Sequence, residues 1–90
     1  MAGFIVTWDV DSRNAAQCAK VRRFVFGYSK ATDRRTYRYP GFVELDGVRY
    51  LGQSVLFVTR ERSLTLREFL RLQGVDHVVT QASLGDLSPS

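Results

Sequence analysis

Residues 4–28, FIVTWDVDSRNAAQCAKVRRFVFGY, hold the two patterns on which the fold turns. Phe4 to Val10 alternates as a strand does, with Phe4, Val6, Trp8 and Val10 on one face and Ile5, Thr7 and Asp9 on the other. Both faces are apolar until Asp9, the pattern of a central strand covered by helices. Asn14 and Gln17 then fit a capping pair that opens a helix, with Asp11 and Ser12 as competing caps. Cys18, Val21, Val25 and Tyr28, with Phe24 beside them, recur at helical spacing on one side. Arg13, Lys20 and Arg23 lie on another, and Gly27 is the expected stop.

Residues 29–36 (SKATDRRT) read as a polar, basic loop. Tyr37 to Leu45, the pair Asp46-Gly47 and Val48 to Thr59 read as a hairpin with a type I′ turn, since both central residues need positive φ. That turn would pair Val43 with Tyr50 and Gly41 with Gly52. Pro40 has no N–H to donate, which places its strand at a sheet edge or a bulge, and Gly52 suits a bend or bulge in the longer arm. Ser63 or Thr65 is expected to open a second helix, Thr65 with Glu68 forming a capping box. Leu66, Phe69, Leu70 and Leu72 form its stripe, and Gly74 closes it before a last strand, Val75 to Leu84.

The order strand, helix, strand, strand, helix, strand is the split βαβ, or ferredoxin-like, arrangement. The expectation is an α+β domain, βαββαβ, with a four-stranded antiparallel sheet and two helices on one face. It spans residues 1–84, and the polar residues 85–90 form a disordered tail. At 90 residues and 44% hydrophobic the chain suits one small domain, whose marginal core a second copy would support. The opening MAGFIVTWDV lacks a basic leader, and its apolar run is too short for a membrane span, so a cytoplasmic protein is expected. A single cysteine, Cys18, and a single histidine, His77, argue against a disulfide or a structural zinc site.

Charge is segregated. Residues 13–39 hold eight bases against one acid, a net +7, while the remainder holds five bases against eight acids, a net −3. Such a field favours a polyanion, or is a solvated basic face. Tyr28 to Tyr39 interleaves Lys30, Arg34, Arg35 and Arg38 with Tyr28, Tyr37 and Tyr39. Guanidinium groups neutralise phosphates and tyrosines stack on unpaired bases, so Lys20, Arg23, Lys30, Arg34, Arg35, Tyr37 and Arg38 are the candidate nucleic-acid contacts. DNA and RNA are both open.

Asp9, at the end of the first strand, is the candidate for catalysis. With Asp11, on the same side of an extended chain, it is a candidate ligand pair for Mg²⁺, which takes one or two carboxylates plus waters and phosphate oxygens. Such an ion would activate a water against a phosphodiester. The competing reading is an ordinary cap or helix-dipole partner, the stronger of the two for Asp11. One acid per chain makes a poor nuclease; two copies about a two-fold axis make a better one. His77 has no positioned partner for general-base work, and Ser54 and Ser63 have no His–Asp arrangement beside them.

Trp8-Asp9-Val10, Lys20-Val21-Arg22-Arg23 leading to Gly27-Tyr28, and Gln53-Ser54-Val55-Leu56-Phe57 together resemble the small CRISPR-associated protein 2 family and its relative, virulence-associated protein D. The likeness covers residues 4–28 and 52–80, and the stretch Ser29–Leu51 is longer than the family's usual connection. The resemblance implies a ferredoxin-like homodimer with the strand-end aspartates, here Asp9, facing each other around a metal. It also implies either metal-dependent endonuclease activity or a bridging role in a larger nucleoprotein assembly. The leading expectation is thus a homodimeric nucleic-acid-binding protein, an Mg²⁺-dependent endonuclease if Asp9 is catalytic. The alternative is a non-catalytic binding or protein-interaction scaffold.

Overall fold

A computed structural model describes residues 2–83. The tail expected at 85–90, and Leu84 of the last strand, lie outside the described residues. The order is β1 (Ala2–Asp9), α1 (Ala15–Phe26), β2 (Gly27–Ala31), β3 (Thr36–Pro40) and a 3₁₀ turn (Phe42–Glu44). Then come β4 (Val48–Gly52), β5 (Val55–Val58), α2 (Arg60–Leu72) and β6 (Asp76–Ser83). The protein is α+β, with a four-stranded antiparallel sheet in the order β4-β5-β1-β6 and two helices.

β1 is central, as its two apolar faces imply. It pairs with β5 from Phe4 opposite Val58 to Thr7 opposite Val55, and with β6 from Ala2 opposite Ser83 to Asp9 opposite Asp76. Val6, Trp8, Leu56 and Val58 turn to the helices, where they meet Val21 and Val25 of α1 and Leu66 and Leu70 of α2. Phe24 stacks on Phe69 at 3.8 Å between ring centroids and on Phe42 at 5.2 Å, which ties the two helices and the 3₁₀ turn together. Full burial of Val6, Val25, Leu56, Val58, Leu66 and Leu70 contributes about 1.5–3 kcal/mol for each side chain.

The middle of the chain departs from expectation. Among the described residues six strands form where four are expected, and residues 29–36 are not one loop. The chain leaves α1 at Gly27 straight into β2, turns at residues 32–35 and returns as β3, so that Tyr28 faces Tyr39 and Lys30 faces Tyr37 in a separate two-stranded ribbon. The strand bearing Pro40 is an edge, but an edge of this ribbon; in the main sheet the edge strand is β4. Asp46-Gly47 does form a turn, closed by Val48 N–H donating to the Leu45 carbonyl at 3.3 Å. Among the non-glycine residues described only Ser54 has positive φ, so Asp46 does not meet the type I′ requirement, and the turn leads from the 3₁₀ segment into β4 rather than joining paired strands. The hairpin loop is instead Gln53-Ser54, with Ser54 at φ 65°, between Gly52 and its partner Val55. The pairings Val43–Tyr50 and Gly41–Gly52 are therefore replaced by Tyr50–Leu56 and Gly52–Val55, with a register shift between Tyr50 and Gly52 where a bulge was expected.

α2 also begins earlier than either Ser63 or Thr65. Thr59 is its extended N-cap, and Ser63 N–H donates to the Thr59 carbonyl at 2.8 Å. Ser63 is buried one turn into the helix, its hydroxyl donating to the Arg60 carbonyl at 2.6 Å. The buried face of the helix therefore starts a turn before Leu66, at a serine. Glu68 pairs with Arg71 instead of capping. At the other end, Gly74 N–H donates to the Arg71 carbonyl and Val75 N–H to the Leu70 carbonyl, the paired bonds of a Schellman ending. No helix among the described residues is long and apolar enough to cross a membrane.

Candidate nucleic-acid interface

α1 begins as its capping pair requires: Gln17 N–H donates to the Asn14 side-chain oxygen at 3.0 Å. The Gln17 amide then donates to the Gln73 carbonyl at 2.8 Å, fastening the start of α1 to the end of α2. Val21 and Val25 hold one side in the core, which leaves Lys20, Arg22 and Arg23 exposed. Gly27, with φ 78°, lets the helix pass into the ribbon without a connecting loop; a Cβ there would collide with the Tyr39 carbonyl.

The ribbon is exposed along its length beyond Gly27. At its tip Thr32 N–H donates to the Arg35 carbonyl at 2.7 Å, and Arg35 N–H donates to the Thr32 hydroxyl at 3.3 Å. Asp33 and Arg34 are thereby held at the end of a closed turn. At its base the Arg38 guanidinium pairs with Glu44, whose other oxygen accepts the Gly41 N–H at 2.6 Å. The Arg38 hydrogen bond first, then that of Gly41, hold the Glu44 carboxyl below the usual glutamate range. Tyr28 and Tyr39 stack at 4.6 Å between centroids and 17° between planes, and the Arg23 guanidinium lies 5.4 Å over the Tyr28 ring. This stack joins the basic side of α1 to the ribbon.

All seven candidate contacts are exposed. The structure brings Lys30, Arg34, Arg35, Tyr37 and Arg38 onto one ribbon, with Lys20 and Arg23 on the helix that feeds it. Among the described residues Lys20, Arg23, Lys30, Arg34 and Arg35 make no ion pair, whereas Arg38 is committed to Glu44. The pairing of Tyr28 with Tyr39 departs from the loop expected at residues 29–36. Its signal was present in two short alternating segments, GYSKA and TYRYP, separated by the turn-forming TDRR.

Asp9 is exposed at the end of β1 and directly opposite Asp76 of β6. The two line a polar cleft with Asp11, Asn14, Gln17 and Gly74. Asp11 accepts the Arg13 N–H at 2.9 Å and its Nε at 3.2 Å, which holds its carboxyl below the usual aspartate range. Its carboxylate is thus engaged in an Asx-type turn before α1. Among the described residues no group of three or more His, Cys, Asp or Glu is placed to hold one metal ion. His77 Nδ1 lies 2.9 Å from the Val75 carbonyl, and Cys18 is half-buried with its thiol 3.4 Å from the Asp11 carbonyl. Comparison with protein-family models, curated proteins and solved structures finds no match to this chain.

Proposed function

We propose that this protein binds nucleic acid through the β2–β3 ribbon and the adjoining basic side of α1. One observation carries the reading: Lys20, Arg23, Lys30, Arg34 and Arg35 are exposed, free of ion pairs among the described residues, and borne on two elements that join without a loop. A two-stranded ribbon is narrow enough to follow a nucleic-acid backbone or enter a groove. The order β4-β5-β1-β6, with helices following β1 and β5, supports reading the body as a ferredoxin-like domain into which the ribbon is inserted. The sheet face turned from the helices carries the half-buried Ile5 and Val55 and the exposed Val78, which supports its pairing with a second copy, checked by sedimentation.

The test is binding to labelled DNA and RNA as a function of salt. Affinity should fall steeply as salt rises, and Arg34→Ala and Arg35→Ala should each weaken binding and lower the slope of log K against log salt by about one. If neither single- nor double-stranded DNA or RNA is retained at low salt, the reading is wrong.

A second reading, Mg²⁺-dependent phosphodiester hydrolysis, is favoured by the juxtaposition of Asp9 and Asp76 at the sheet end. With Asp11 taken by Arg13, Asp9 and Asp76 would hold the ion, which would supply Lewis-acid activation of water. Asp9→Ala should then abolish Mg²⁺-dependent cleavage with the fold intact. Cleavage that persists in that variant removes Asp9 from catalysis.

A further inference from the structure

The register of the ribbon sorts its side chains by face. Residues opposite each other in an antiparallel pair project to the same side, and the side alternates along each strand. Tyr28 with Tyr39 and Lys30 with Tyr37 therefore share one face, while Ser29 with Arg38 and Ala31 with Thr36 share the other. Three of the four side chains on the first face are phenol rings, and each is 43–44% exposed. A two-stranded ribbon has no second layer in which to bury them. Tyr28 already has two partners, Arg23 and Tyr39; Tyr37 makes no ring stack among the described residues.

We propose that this face takes single-stranded nucleic acid, with unpaired bases stacking on Tyr39 and Tyr37 while Lys30, Arg34 and Arg35 neutralise the phosphates. This rests on the nucleic-acid reading above and names the class of substrate. A duplex keeps the π-faces of its bases inside its own stack, so exposed rings gain nothing from it. A groove reader would instead present Arg, Asn or Gln to base edges. On this ribbon the face opposite the tyrosines offers one arginine, and that arginine is held by Glu44. Rings beside cations, by contrast, suit the backbone and bases of an open strand, whatever its sequence. The Arg23–Tyr28–Tyr39 stack holds the Tyr39 ring in place before the strand arrives.

The experiment is fluorescence anisotropy of the full chain with a short labelled oligo(dT) and a labelled duplex of the same length, at equal salt. Oligo(dT) should bind the more tightly. Tyr39→Leu should weaken oligo(dT) binding roughly five- to hundred-fold while leaving the duplex unaffected, and Tyr39→Phe, which keeps the ring, should bind as the parent does. Equal or tighter duplex binding, or a Tyr39→Leu variant that still binds oligo(dT) fully, overturns the proposal. It leaves the broader reading standing if Arg34→Ala and Arg35→Ala still weaken binding. No binding to either probe overturns both. Self-association lost in Tyr39→Leu but retained in Tyr39→Phe, with no change in oligo(dT) binding, would assign the face to a second copy and overturn the proposal.

Discussion

Glu44 ties the base of the ribbon to the body through two hydrogen bonds, from Arg38 and from the Gly41 backbone. Its carboxyl is held below the usual range by these groups, so the folded pKa lies under the unfolded one. Its contribution is fully present above the unfolded value, about 4.3, and is lost as pH falls through the folded value. Acidification below about pH 4 should therefore lower the protection factor of the Gly41 amide, its exchange taken relative to the intrinsic rate at each pH, before the sheet amides respond. In Glu44→Gln that acid dependence should be absent, as amide-resolved exchange would show; a Gly41 amide equally protected in both proteins at low pH would contradict the assignment. The sequence does not reveal this tie, because Glu44 falls in an expected strand and meets Arg38 only through the 3₁₀ turn. Asp9 could be singled out as the charge that ends an apolar strand, but its partner Asp76 could not, since the β1–β6 register alone brings them together.

The two helices and the central strand are readable in the sequence because their signals are local. They comprise an Asn14–Gln17 cap, a valine pair at helical spacing, a closing Gly74 and an apolar run on both faces of β1. The strands between residues 27 and 58 are not, because the same alternation serves a ribbon and a sheet edge equally well. Which segments pair is settled by competition. Val48 and Tyr50 extend the sheet beside β5, and this leaves Tyr37 and Tyr39 to pair with the chain just emerging from α1. Gly27 makes that possible. Ala at this position would need φ 78° and would collide with the Tyr39 carbonyl. Gly27→Ala should therefore cost more than about 1 kcal/mol in urea denaturation and disrupt the Tyr28–Tyr39 contact in NMR spectra. A variant of parental stability that keeps that contact would mean that the junction does not need a left-handed residue.

For the molecule as a whole, the division is between a body that carries the core and a ribbon that carries the charge. Among the described residues, every buried side chain of the core lies outside residues 27–40. Residues 28–39, by contrast, hold four bases and one acid of a chain with net charge +4. Folding and binding should therefore be separable by one change. Gly27 and Pro40 are register partners, so their Cα atoms lie about 5 Å apart and a Gly-Gly link can replace residues 28–39. The body loses no core contact, and shortening the connection lowers its closure entropy. Urea denaturation should place its stability within about 1 kcal/mol of the parent. Binding should nevertheless fall to what Lys20, Arg22 and Arg23 supply alone, with a correspondingly shallower salt dependence. A shortened chain that unfolds would show that the ribbon supports the core. One that folds and binds as the parent does would move the interface off the ribbon and onto α1.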